Sequence, residues 1–363
     1  MSHNNPDIDI RIEKSVGRIT LTRAGKFNAL TYEMVAAIYD ALLVWQKDDS
    51  VMMVMIDAAS TKAFCAGGDI QKLYQTGIDG DLEYMRNFWA DEYRLNALIA
   101  AYTKPYIAIM DGITMGGGVG ISAHGSHRLV TSRTMLAMPE CAIGLVPDVG
   151  GSFLLAKAPG HVGEYMGITG ARLNGADAIH AGFADTLIDT NDLEELKAEL
   201  ILTGNTNCIA MYSKTPDSLN LTCALEDDAG LIETYFSAES VLSIVKKLQE
   251  SSNEWASSRA KSILRSSPLS LACTWQMLRS ARSFGSVDQA LVQEYRFVWR
   301  SMEKGDILDG TRAMIIDKDH NPNWRFDSLE DVTEEYVSLM LEPLAEHELR
   351  LKTNSGHKIN NQN

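Results

Sequence analysis

The chain has 363 residues, 45 % of them hydrophobic and 22 % charged, enough for one large globular unit or two ordinary ones and unlike a fibrous or disordered chain. Forty-eight acidic against 33 basic residues leave a net charge of −15, which argues against nucleic acid as a partner, because phosphate backbones are gripped by clustered Lys and Arg. No apolar run approaches the roughly 18 residues of a membrane span, so no membrane partner is expected.

The opening MSHNNPDIDIRIE lacks the charged-then-apolar pattern of a secretory signal, and Asp7 and Asp9 count against a mitochondrial presequence. Residues 8–13 and 18–22 alternate apolar and polar around Gly17, predicting a β-hairpin. Thr31 offers an N-cap to a helix with Met34, Val35, Ile38, Leu42 and Trp45 on one face. VMMVMID (51–57) reads as a strand covered on both sides. Residues 81–102 form a long helix, stopped by Lys104-Pro105 because the residue before a proline disfavours helix. YIAIMD (106–111) is the next buried strand, running towards Gly116-Gly117-Gly118. Shorter strands follow at 128–131 and 135–138, then PECAIGLVPDVGG (139–151).

Strands alternating with helices predict an α/β fold with a mostly parallel sheet. Past about residue 190 helical periodicity takes over, at 193–202, 241–248, 255–264, 269–283 and 291–302. The division is therefore an α/β core over 1–190, a helical C-terminal part over 191–351 and a polar, disordered tail over 352–363. Five cysteines (Cys65, Cys141, Cys208, Cys223, Cys273) without a CxxC pair read as free thiols of a reducing cytoplasm.

Two glycine-rich loops end predicted buried strands: Phe64-Cys65-Ala66-Gly67-Gly68-Asp69 and Met115-Gly116-Gly117-Gly118-Val119-Gly120. Glycine lets a backbone approach a ligand closely. Two N–H groups aimed at one point stabilise a developing oxyanion by roughly 3–4 kcal/mol per donor; otherwise such loops are only tight turns. Gly118, Gly120 and Ala123 also fit G-x-G-x-x-A with Glu140 downstream, but no clean crossover helix and single strand follow, as dinucleotide binding requires.

Glu140 and Asp148 stand in an apolar, glycine-rich stretch, where a carboxylate is expensive without a partner or a task. Either could act as nucleophile or general base. The structural alternatives are an ion pair of Glu140 with Arg128 and helix capping by Asp148 near Gly151. His124 and His127 have no further ligand nearby, so no metal site is expected. Cys65 reads as a small buried filler, and no G-x-S-x-G elbow is present.

FCAGGDI (64–70), DGITMGGGVGIS (111–122) and MPECAIGLVPDVGG (138–151) resemble the crotonase, or enoyl-CoA hydratase/isomerase, superfamily. RITLTRAGKFNAL (18–30) and TGARLNGADAIHAGFADTLID (169–189) extend the resemblance. It implies a crotonase-like fold, an acyl-CoA substrate, no separate cofactor and a homo-oligomer, unless the C-terminal helices cover the same surface in cis. It also implies Gly68 and Gly117 as the oxyanion-binding amides, with Ala66, Asp69 and Ile70 along the CoA path.

Hydratases of the superfamily hold a water between two glutamates; here the first falls on Gly120 and only Glu140 is kept, while Asp148 replaces a glycine. Losing one proton-transfer group costs roughly 10²–10⁴ in rate. This combination, together with EYRFVWRSMEKGDILDGTRAMIIDKDHNPNWRF (294–326), resembles the superfamily's thioester hydrolases for small 3-hydroxyacyl-CoAs. The implied substrate is 3-hydroxyisobutyryl-CoA, an intermediate of valine breakdown, with Glu92 of Asp91-Glu92-Tyr93 contributing to its binding. The alternative for Glu92 is a solvated charge. The rival functions are an enoyl-CoA hydratase or isomerase, and a non-catalytic CoA-binding or interaction protein.

Overall fold

The computed structural model describes residues 5–351; the tail expected to be disordered lies outside the described residues. Strands β1 (Ile8–Glu13) and β2 (Val16–Leu21) pair antiparallel. Their turn is Lys14-Ser15, with Lys14 at φ 54°, and Gly17 lies inside β2 instead of in the turn. A Cβ at Gly17 would come within 2.5 Å of the Trp45 ring, so this glycine serves close packing. Helix α1 (Tyr32–Gln46) begins as read, with Thr31 accepting a hydrogen bond from Met34 N–H, and buries Met34, Val35, Ile38, Leu42 and Trp45.

The chain then winds through three similar turns. The strand pairs are β3 (Met53–Ala58) with β4 (Ala63–Cys65), β5 (Tyr106–Met110) with β6 (Ile113–Met115), and β7 (His127–Val130) with β8 (Met135–Ala137). The first strand of each pair enters a seven-stranded sheet and the second a three-stranded sheet. Pairing is parallel throughout both sheets except at the two edges of the larger one. Those edges are β1 and a two-residue β10 (Ser213–Lys214) against β9 (Thr186–Ile188). The short β6 is absent from the sequence reading, which carries the chain straight from β5 into the glycines.

The unbroken apolar runs of β3 and β5 follow from burial on both faces. Val54 and Ile56 face the main core, whereas Met53, Met55, Ile107 and Ile109 face a second cluster closed by Leu193, Leu196 and Leu200 of a later helix.

Helices α2 (Ile70–Ile78) and α3 (Leu82–Ala100) join the first turn to the second. α2 is a helix not read from the sequence; its signal is Asp69, whose side chain accepts from Lys72 N–H. A single helical turn, α4 (Gly117–Gly120), follows β6, and α5 (Gly151–Lys157) follows the acidic segment. After β9 the chain is almost wholly helical. Helix Val287–Lys304 packs on α3, helix Pro268–Ala281 packs on α5, and both share the main hydrophobic cluster. Among the described residues no helix is long and apolar enough to cross a membrane.

Candidate active site

Both glycine loops open helices and converge. A Cβ built on Gly117 would lie 3.3 Å from Gly68 N, so the two backbone amides are neighbours although 49 positions separate them. Among the described residues neither amide donates to a loop, cap or side-chain acceptor. Gly67 takes φ 115°, a conformation glycine adopts at little cost, and this turns the loop back towards Leu30, whose N–H bonds Gly67 O at 2.8 Å.

Ala66, Gly68, Asp69 and Ile70 form a half-buried rim. The Asp69 carboxylate is engaged twice, capping α2 and pairing with Arg23 at 2.7 Å. Ala66 N–H bonds Phe27 O. A recess of about 230 Å³ adjoins this rim, walled by Leu30, Tyr32, Asp69, Lys72, Tyr84 and Phe88. Cys65 is fully buried with its thiol against Gly67 O, and burial pushes that thiol up to about 12, which fits a filler.

Three carboxylates reach the same place. Glu140 Oε1 would lie 3.0 Å from a Cβ on Gly116, and Glu92 Oε1 2.5 Å from one on Gly117. Glu140 is 5 % exposed and Glu92 2 %. Among the described residues Glu140 Oε2 and Glu92 Oε1 have no hydrogen-bond partner. The alternatives for these residues do not hold: Arg128 pairs with Asp185, Glu92 is not solvated, and Gly150 occupies the N-cap of α5. Asp148 is buried, and its Oδ2 accepts from the Tyr93 hydroxyl at 2.7 Å.

Burial pushes all three carboxyls up, because the charged form loses its water. Asp148 reaches about 7, with the Tyr93 hydroxyl pulling it down. Glu140 is held well above the ordinary carboxylate range by burial and then by the Asp148 charge, and Glu92 by the same two causes.

Tyr93, Asn96 and Glu294 complete the site and were not singled out from the sequence. Glu294, from helix Val287–Lys304, is fully buried and accepts from Gly150 N–H (2.7 Å), Ser152 N–H (3.0 Å) and the Ser152 hydroxyl. Burial nonetheless pushes its carboxyl up to about 8. These bonds fix a turn in which Val149, β-branched, sits at φ 54°, a strained value for such a residue. His124 braces the same turn from the other side, its Nε2 2.7 Å from Val149 O; burial lowers that imidazole to about 4 and keeps it neutral. The signal for Glu294 was present: a carboxylate between Leu291 and Val298, on the apolar stripe of a helix.

Free amide donors facing buried acids can polarise a carbonyl and set a nucleophile or base against it. The spiral of strand pairs with its two glycine turns is the crotonase fold, and two solved structures superpose on nearly the whole chain. One is an enoyl-CoA hydratase from Rhodobacter sphaeroides 2.4.1, with TM-score 0.89 and 43 % identity, covering 95 % of this chain and 99 % of that one. The other is a carnitinyl-CoA dehydratase from Mycobacterium thermoresistibile, with TM-score 0.91 and 37 % identity, covering 96 % and 100 %. The enoyl-CoA hydratase/isomerase family model matches residues 16–341, and the chain belongs to that family. It is 36 % identical over 360 residues to the mitochondrial 3-hydroxyisobutyryl-CoA hydrolase of Gallus gallus, covering 96 % of this chain and 92 % of that protein. The Homo sapiens protein of the same name is 35 % identical over 357 residues, with the same coverage.

Proposed function

We propose that this chain is a thioesterase that cleaves small 3-hydroxyacyl-CoA thioesters, with 3-hydroxyisobutyryl-CoA giving 3-hydroxyisobutyrate and CoA in valine breakdown. The observation that carries this is Glu140 beside the glycine loop at Gly116, with Asn96 and Val149 crowding position 120 so that a second glutamate does not fit there. Adding water across a double bond uses two proton carriers; cutting a thioester at an activated carbonyl needs one acid and the donors. The shared name of the curated relatives supports the same reading.

In the proposed mechanism Gly68 and Gly117 N–H bind the thioester oxygen. Glu140 either attacks the carbonyl carbon, expelling CoA thiolate and leaving an acyl-glutamyl anhydride for water to cleave, or takes a proton from water that attacks the same carbon and expels CoA thiolate directly. Asp148 hydrogen-bonds the 3-hydroxyl. Glu92 borders the thioester, and CoA runs out along Ala66, Asp69 and Ile70. No cofactor enters. The five free thiols fit a reducing compartment, read here as cytoplasm.

Thiol release from a panel of acyl-CoAs tests the proposal. Cleavage of 3-hydroxyisobutyryl-CoA is expected, without loss of the crotonyl-CoA double-bond absorbance; the reverse result would identify a hydratase.

The Asp148 charge helps to hold the Glu140 carboxyl up, so removing it makes Glu140 ionise more easily. The rise of kcat/KM with pH in Asp148→Asn is therefore expected to move to lower pH. An unmoved or alkaline-shifted limb would show that Asp148 does not act on Glu140.

A further inference from the structure

Helix α3 turns three polar residues towards the glycine loops: Tyr93 holds Asp148, Glu92 borders Gly117, and the third is Asn96. It is fully buried, and among the described residues neither its Nδ2 nor its Oδ1 has a hydrogen-bond partner. A side-chain amide carries two donor hydrogens and an acceptor oxygen, and native interiors rarely leave such groups unmet. Glu92 Oε1 and Glu140 Oε2, equally buried and unmatched, belong to the same site. Unmatched polar atoms gathered in one site point to a polar ligand.

The position of Asn96 indicates which part of a ligand it meets. A Cβ on Gly120 would lie 2.7 Å from Asn96 Nδ2 and 2.7 Å from Val149 Cβ, so the amide stands over Gly120 and beside the turn that carries Asp148. Gly117 and Gly120 are the ends of α4, about 4.5 Å apart along its axis. A thioester oxygen at Gly117 N–H, with its acyl chain running along α4, brings a hydroxyl on the third carbon to Asn96. That hydroxyl both donates and accepts, whereas an ionised Asp148 can only accept. Its oxygen therefore needs a separate N–H donor.

We propose that Asn96 determines specificity for 3-hydroxyacyl chains, donating from Nδ2 to the substrate hydroxyl while that hydroxyl donates to Asp148. The proposal rests on the thioesterase reading and names the residue by which that site selects its substrate. A pocket built to bond a hydroxyl rejects the chain that lacks one, because its own polar groups are then left bare.

The test uses the full chain and a matched pair, 3-hydroxyisobutyryl-CoA and isobutyryl-CoA, with thiol release as readout. Asn96→Ala and Asn96→Leu are expected to lower kcat/KM on the hydroxyacyl thioester by roughly 10–100-fold and to lower it much less on isobutyryl-CoA, so that the preference collapses. Asn96→Leu keeps the volume and removes the unmet atoms, so the melting temperature of the free protein should rise by roughly 2–4 °C. Equal losses on both substrates with a lowered melting temperature would make Asn96 a structural filler and overturn the proposal, as would no loss on either. Wild-type protein that cleaves neither thioester would defeat the thioesterase reading alone. Calorimetric binding of the two acyl-CoAs then decides for Asn96: a hydroxyacyl preference erased in Asn96→Leu supports it, and an unchanged preference, or none in wild type, overturns it.

Discussion

Replacing Glu140 by alanine or glutamine is expected to lower thiol release from 3-hydroxyisobutyryl-CoA by roughly 10³-fold or more, the scale on which loss of a reacting group is felt. The fold should hold. Among the described residues Glu140 makes no ion pair, and burial drives its carboxyl towards the neutral form, so neutral glutamine suits the same site. A thermal melt beside the thiol assay separates the two effects: unchanged melting with lost turnover assigns the loss to chemistry. Turnover within tenfold of wild type would remove Glu140 from the reaction. Hydroxylamine added while the wild-type enzyme turns over then distinguishes its two roles, since capture of an acyl group or modification at Glu140 marks the anhydride and neither marks the base.

Gly117→Ala is the second large effect. The added methyl would meet Glu92 Oε1 at 2.5 Å, Leu30 Cδ1 at 3.2 Å and Gly68 N at 3.3 Å. Glu92 can swing aside, but the Gly68 backbone cannot, so the methyl stays between the two amides and keeps a carbonyl oxygen from reaching both. The expected loss is about 10²–10³ in kcat, the value of one oxyanion donor. Gly117 has an ordinary negative φ, so alanine there adds no backbone strain and the melting temperature should change little. Near-normal kcat in a folded Gly117→Ala protein would take this amide out of the reaction.

Where signals are local, the sequence reading and the structure agree in detail. Thr31 starts α1, alternation marks the first hairpin, and unbroken apolar runs mark β3 and β5, because caps and burial periodicity are properties of neighbouring residues. The departures have a common physical origin in contacts between distant segments. Gly17 looks like a turn residue until Trp45 is packed on it. Nothing near Asp148 in sequence reveals Tyr93, 55 positions earlier, nor does anything near Gly150 reveal Glu294, 144 positions later. Asn96 was within reach, four residues after Glu92 and hence on the same helix face. Asp69 shows the converse: resemblance assigns it to the CoA path, and its carboxylate also serves Arg23 and the start of α2.

The grip of Glu294 on Gly150 and Ser152 makes the acid turn answerable to a helix near the far end of the polypeptide. Inserting or deleting one residue upstream within that helix would rotate Glu294 by about 100° and leave three donors facing nothing. The spacing between Val287 and Glu294 is thus as binding on this molecule as the spacing of its glycines, and trimming the distal helices would dismantle the reaction centre from behind.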